Sequence, residues 1–392
     1  MFNRILVPLD GSKLSERAIP HAERFARIFG STIVLLQVLE PTSYQENPNP
    51  VDPLSWQIRK TEADMYLQDV ARRILANLGE SAVPEISALA PESHTAGQPP
   101  SSGDSGAEPA EGDRADQKIQ VEYAIREGRT AEHIVDFAHN ENIDLLIITT
   151  HGASGLSRWN ISSVVQKVIN LVYLPVLLIR AYQPCEDDGA TVHYRRILLP
   201  IDSSRRAECS LYAGIALAQG EMAFSNAYES GAVSPRSSET SPVGQAGTMD
   251  KTAEFSSRLL LAAIIKPPEI PLPEPYPPEI RQLSEQLMHV SREAVNIYLN
   301  EMKGRMPVEC EVSMIENSNV SSAIHEHASA EDVDLVILCA HGYSGQLTWP
   351  FGSVTQNYIE HGTKPVLIIQ DIPRSQVRPT AAEIAAEKTG RR

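Results

Sequence analysis

The apolar positions of this chain follow two rhythms. One is a set of short runs: Ile5 to Leu9, Ile33 to Leu39, Ile119 to Ile125, Asp144 to Thr149 and Val176 to Arg180. Runs of this length and composition read as parallel strands buried on both faces. The other rhythm is helical. Leu14, Ala18, Ala22, Phe25 and Phe29 share one face, with Ser12 as the N-cap and Gly30 as the stop. Pro20 lies inside that pattern, where proline costs about 3 kcal/mol, so a kink is expected. Asp52-Pro53 then opens a second helix, carried by Leu67, Val70, Ala71, Ile74, Leu75 and Leu78 up to Gly79. Thr130 to Asn140 and a stretch from about Ser162 complete the helices of this half. The alternation predicts an α/β fold, a parallel sheet with helices on both faces joined by right-handed crossovers.

The same order is then repeated. RILVPLDGS at Arg4 to Ser12 returns as RILLPIDSS at Arg196 to Ser204, and LPVLLIR at Leu174 returns as KPVLIIQ at Lys364. Asp10 and Asp202 lie 192 positions apart; His151 and His341, like Pro175 and Pro365, lie 190 apart. Markers in one order at nearly one offset indicate a tandem duplication. In the second copy Ile280, Leu283, Leu287, Val290, Ala294 and Ile297 line one face of the long helix. The expected division is a first unit at 1–181, a linker at 182–194, a second unit at 195–371 and a flexible tail at 372–392. Two polar, Pro/Gly/Ser-rich stretches, at about 87–117 and about 223–256, lack the large apolar groups needed to offset ordering entropy and are expected to be disordered insertions. Each unit ends in an apolar strand that would otherwise be a bare edge. The two are therefore expected to dock as an intramolecular pseudo-dimer, and a homodimer of whole chains is a further arrangement.

Composition narrows the function. A net charge of −16 argues against a general nucleic-acid binder. The start, MFNRILVPLDGS, enters a strand directly, so no signal peptide is expected; no apolar run approaches a membrane span. Cys185, Cys209, Cys310 and Cys339 show no CxxC or metal-ligand spacing and suit free thiols in a reducing cytoplasm. His325 to His327, HEH, is not a zinc HExxH pattern.

The candidate chemistry sits where the fourth strand of each unit meets the next helix, at THGASG and AHGYSG. Parallel sheets take ligands beyond the carboxyl ends of their strands. A helix N-terminus offers unpaired N–H groups to phosphate, and glycine lets the backbone approach closely. These segments, with ILVPLDGS, ILLPIDSS and GSVTQNYIEHGTKPVLII, resemble the universal stress protein family over nearly the whole chain outside the insertions and tail. The resemblance implies two doubly wound, Rossmann-like domains of the adenine nucleotide α-hydrolase type. In one branch of that family ATP is bound by a Gly-x2-Gly-x9-Gly-Ser/Thr loop; another branch lacks the loop.

The second unit reads Cys339-x2-Gly342-x9-Gly352-Ser353 and departs from that pattern at the first glycine. The first reads Thr149-x2-Gly152-x9-Ser162-Ser163 and departs at two. By resemblance, the better site comprises Pro200, Asp202, Ile264, Gly342, Gly352, Ser353, Val354 and Thr355, the weaker one Asp10, Val38, Gly152, Ser162 and Ser163. Asp10 and Asp202 would be acidic contacts, Val38 and Ile264 adenine-lining, with Mg2+ accompanying ATP. Other readings stand beside these. The aspartates cap their own loops; His151 and His341 bond to backbone; Cys339 is a buried thiol or a redox sensor; Trp159 and Trp349 pack near the loops. Three functions remain open: a nucleotide-responsive stress module, a nucleotide-independent scaffold, and a slow ATP hydrolase. The last is weakest, for there is no Walker lysine, no SGGxDS-type loop and no evident general base. No catalytic residue and no protein-built metal site is expected.

Overall fold

The computed structural model describes residues 1–40, 53–79, 82–89, 118–152, 161–182, 191–229, 257–273, 275–342 and 350–371. Residues 90–117 and 230–256 of the expected insertions, the tail, Cys185, Trp159 and Trp349 lie outside them. The first half contains strands β1 (Arg4–Pro8), β2 (Thr32–Leu39), β3 (Ala82–Ala88), β4 (Ile119–Glu127), β5 (Leu145–Thr149) and β6 (Val176–Ile179). Its helices are α1 (Lys13–Glu16), α2 (Ile19–Phe29), α3 (Pro53–Leu78), α4 (Thr130–Asn140) and α5 (Ser163–Leu171). The second half contains β7 (Arg196–Ile201), β8 (Arg258–Ile265), β9 (Cys310–Glu316), β10 (Leu335–Cys339) and β11 (Val366–Ile369). With them go α6 (Cys209–Glu229), α7 (Pro278–Arg305), α8 (Val320–Ala330) and α9 (Ser353–His361).

All the described strands join one sheet of order β3-β4-β2-β1-β5-β6-β11-β10-β7-β8-β9. Within each half the pairings are parallel. Each chain path starts in the middle, runs outward one way, then returns to the other side of its first strand. The reversal falls between β1 and β5 and, in the second half, between β7 and β10. A carboxylate fixes each reversal: Asp144 Oδ2 accepts the Asn3 and Arg4 N–H groups, and Asp334 Oδ2 those of Arg195 and Arg196. Buried side chains from alternate strand positions form two cores, one on each face of the sheet.

Three sequence expectations needed correction. Strand β3 was not foreseen. Its segment, AVPEISA, is polar and carries a proline, and it survives because it is an outermost strand pairing only with β4. Pro20 does not kink one helix but divides two: α1 ends at Glu16 and Pro20 sits in the first turn of α2, where its missing N–H costs nothing. Third, the stripe on α7 faces outward. Leu283, Leu287, Val290 and Ile297 are 52–68% exposed, whereas Met288, Leu299 and Met302 are buried. At 100° per residue the centres of the two sets lie about 140° apart around the helix. The strongest hydrophobes were thus a misleading guide to its buried face.

The halves meet beyond the sheet. β6 and β11 pair antiparallel, Leu177 opposite Leu367. Arg24 of α2 and Glu221 of α6, both buried, form a two-pronged ion pair. Arg180, beyond β6, donates to the Tyr358 and Ile359 carbonyls at 2.6 and 2.7 Å and so caps the end of α9. His21 Nδ1 lies 2.6 Å from the Tyr194 hydroxyl.

Burial lowers the His21 pKa from 6.5 to about 4. The folded ring stays neutral while the unfolded one takes up a proton. Its contribution is therefore complete above pH 6.5, declines as pH falls toward 4, and changes no further below. Linkage sets the loss at about 3 kcal/mol. Urea midpoints at pH 7.5 and 4.5 should fall further for wild type than for His21→Gln; equal falls would remove His21 from the account.

Candidate functional site

At both reversals the same parts come together. Asp10 follows β1, and its Oδ1 accepts from the Ser12 N–H at 3.0 Å and the Ser12 hydroxyl at 2.6 Å. Asp202 follows β7 and accepts from the Ser204 N–H at 3.0 Å. Both carboxylates are exposed, and both shape their own loops. Across the crevice stand Gly152 and Gly342, just past β5 and β10. A Cβ on Gly342 would come within 2.5 Å of Asp202 Oδ2, and one on Gly152 closer still to Asp10 Oδ2. These glycines are what let a carboxylate from one strand lean over the backbone of the next. Pro200 closes the edge of β7, opposite Ala262 of β8. Val38 and Ile264, half-buried near the ends of β2 and β8, pack against the core on the same face. The middles of the two loops, 153–160 and 343–349, lie outside the described residues.

The loops rejoin the fold identically. The Ser162 N–H donates to the Thr150 carbonyl at 3.0 Å, and the Gly352 N–H to the Ala340 carbonyl at 2.8 Å. There the halves diverge. Ser162 caps α5 with its own side chain: Oγ accepts from the Val165 N–H at 3.2 Å. Gly352 caps α9 with no side-chain bond, so α9 presents the backbone N–H groups of Ser353, Val354 and Thr355 without one. The Ser353 side chain is exposed, as is that of Ser163. The buried Thr355 hydroxyl donates to the Cys339 carbonyl at 2.7 Å and is not free for another partner.

Gly352 itself has φ −67° and ψ 161°, an ordinary conformation for any residue. A Cβ there would meet nothing closer than the Ala340 carbonyl oxygen at 3.5 Å. Neither backbone strain nor packing among the described residues demands glycine at this position.

Three contacts were not legible beforehand. The His341 ring is bonded through Nδ1 to Asp371 Oδ1 at 2.8 Å, both side chains buried. His151 Nδ1 lies 3.0 Å from the Thr150 hydroxyl. The repeat offset marked the histidines, but Asp371, 30 residues beyond His341, carried no local signal. The third concerns Cys339 Sγ, 2.9 Å from Cys209 Sγ and 3.0 Å from the Arg206 carbonyl. The hydrogen bond to Cys209, then burial, push the Cys339 thiol well above its ordinary pKa.

Among the described residues no group of three His, Cys, Asp or Glu side chains could hold a metal, and no helix is long and apolar enough to cross a membrane.

Comparison with known proteins bears on the family and the fold. The sequence profile of the Universal stress protein family matches residues 1–180 and 236–370. Universal stress protein MJ0531 of Methanocaldococcus jannaschii is 23% identical over 180 residues, 46% of this chain and 83% of that one. Among solved structures, a universal stress protein from Archaeoglobus fulgidus covers 95% of this chain and 100% of its own, with TM-score 0.55 and 15% identity, which bears on the fold alone. A universal stress protein solved in complex with cAMP matches 46% of this chain and 98% of its own at TM-score 0.29 and 15% identity.

Proposed function

Because the chain belongs to the universal stress protein family, we propose that it is a stress-response module that binds an adenine nucleotide, ATP foremost, at its second half. The observation that carries this is Gly352. Among the described residues it has no conformational or packing reason to be glycine, yet it stands before a helix whose first N–H groups have no side-chain cap. A vacant Cβ position beside such groups suits phosphate oxygens. Asp202 supplies the acidic contact, Ile264 the apolar wall for the base, and Mg2+ enters with the phosphates. Pro200 and Gly342 keep the crevice narrow, while Ser353 adds a hydroxyl and Val354 and Thr355 their backbones.

The first half, with Asp10, Val38, Gly152, Ser162 and Ser163, is the weaker site for a physical reason. The Ser162 hydroxyl already occupies the Val165 N–H that a phosphate would take. In this reading the units comprise 1–181 and 195–371, with linker and tail as expected above and the insertions narrowed to 90–117 and 230–256, because β3 runs to Ala88 and α6 to Glu229; the units act together as a pseudo-dimer, supported by the β6–β11 pairing and the Arg24–Glu221 contact. A second reading, a scaffold working through its surface, is favoured by the outward stripe of α7.

Calorimetry decides between them. Wild type should bind about one ATP per chain by the open-cap argument. Ser162→Gly costs only a few tenths of a kcal/mol in capping and should add a second ATP. No heat at millimolar ATP, and no nucleotide released on denaturing the purified protein, would leave the scaffold.

A further inference from the structure

Cys209 and Cys339 are 130 residues apart in sequence but their sulfurs are 2.9 Å apart in the fold. A disulfide bond measures about 2.05 Å, so closure asks for less than 1 Å of movement. Cys209 starts α6 and is partly exposed, whereas Cys339 ends β10 and is 8% exposed. The pair therefore combines a partly exposed cysteine with a buried one. Both are free thiols, as is Cys310, which lies away from them on β9.

We propose that Cys209 and Cys339 form a two-electron redox site, a dithiol that a hydroperoxide converts to an intramolecular disulfide. The steps balance. The Cys209 sulfur attacks one oxygen of hydrogen peroxide; the O–O bond breaks, leaving Cys209 as the sulfenic acid and releasing one water. The Cys339 sulfur then attacks the sulfenyl sulfur. The S–S bond forms, the S–O bond breaks, and the hydroxyl leaves with the Cys339 proton as a second water. Two thiols are oxidised and one peroxide is reduced to two waters. A soluble dithiol reverses the change by exchange. The bridge joins the start of α6 to the end of β10, immediately before the Ala340-His341-Gly342 turn. The proposal concerns the sulfurs alone and stands whether or not nucleotide binds.

The test uses the full chain, reduced and then treated with equimolar hydrogen peroxide. Free thiols should fall by two per chain, and peptide mapping should recover one linked pair, Cys209 with Cys339, lost again on treatment with dithiothreitol. Cys209→Ser, which keeps a small polar residue at the helix start, should abolish that linked peptide, and far-ultraviolet circular dichroism should show its fold retained. Alkylation of both Cys209 and Cys339 after peroxide treatment of wild type would overturn the proposal, as would recovery of Cys185 or Cys310 as the dominant partner.

Discussion

Glu221→Ala should destabilise the protein by about 3–5 kcal/mol, the usual result of stranding one member of a buried ion pair. Arg24 is 1% exposed and Glu221 3%. Burial by itself would raise the Glu221 carboxyl. Hydrogen bonds from Arg24 and His193, and the Tyr194 N–H, outweigh it and hold the pKa below its ordinary value. Removing the carboxylate leaves the guanidinium inside without its counter-charge. The pair joins α2 to α6, so the damage falls on the contact between the halves. The double variant Arg24→Met/Glu221→Leu should recover most of the loss, because apolar groups of similar volume often replace such a pair at little cost. Urea unfolding of the wild type, the single variant and the double variant reads both effects. A single variant within 1 kcal/mol of wild type would mean that water reaches the pair and screens it.

Gly352→Asp should lower ATP affinity at least about 100-fold, the equivalent of losing one or two charge-assisted hydrogen bonds. It should do so without unfolding the protein. The new Cβ meets only ordinary contacts, 3.5 Å at the nearest. Aspartate is among the best N-cap residues, so its carboxylate would take the backbone N–H groups at the start of α9 and strengthen the helix. The same substitution thus fills the phosphate position with a competing anion and raises or preserves the melting temperature. Calorimetry with ATP, alongside thermal unfolding, separates the two. Retained affinity with a capped helix would show that the nucleotide, if bound, does not use the α9 terminus. Loss of affinity together with a collapsed melting temperature would show that the loop depends on Gly352 for folding.

Much of this was written in local sequence, and the exceptions have identifiable causes. The central strands were legible because both their faces are buried, so their residues are almost all apolar. β3 was not, because an outermost strand answers to one neighbour and tolerates Pro84 and Glu85. The family resemblance grouped Asp10 with Gly152 and Asp202 with Gly342, and the repeat put the same two segments in both copies. It did not show that each glycine exists to admit the carboxylate. The cap difference at Ser162 and Gly352 was visible as a letter, but the hydrogen bond that gives it meaning depends on side-chain direction. The long-range contacts, His341 with Asp371 and Cys209 with Cys339, join segments that share no local pattern, and only the path of the sheet brings them together. On α7 the strongest hydrophobes pointed away from the core, which residue type alone does not disclose.

The antiparallel seam between β6 and β11 has a consequence for how such a chain can change. Two strands of four residues each offer little grip to partners that must find one another in solution. Carried on one chain, they meet at an effective concentration in the millimolar range, whatever the abundance of the protein. Dilution cannot part them, and every first half is guaranteed a second half. A symmetric assembly of identical subunits must keep both of its sites alike, because one gene writes both. Here each half is encoded separately and can drift alone: a serine can close the helix start in one while glycine leaves it open in the other, and the seam still holds.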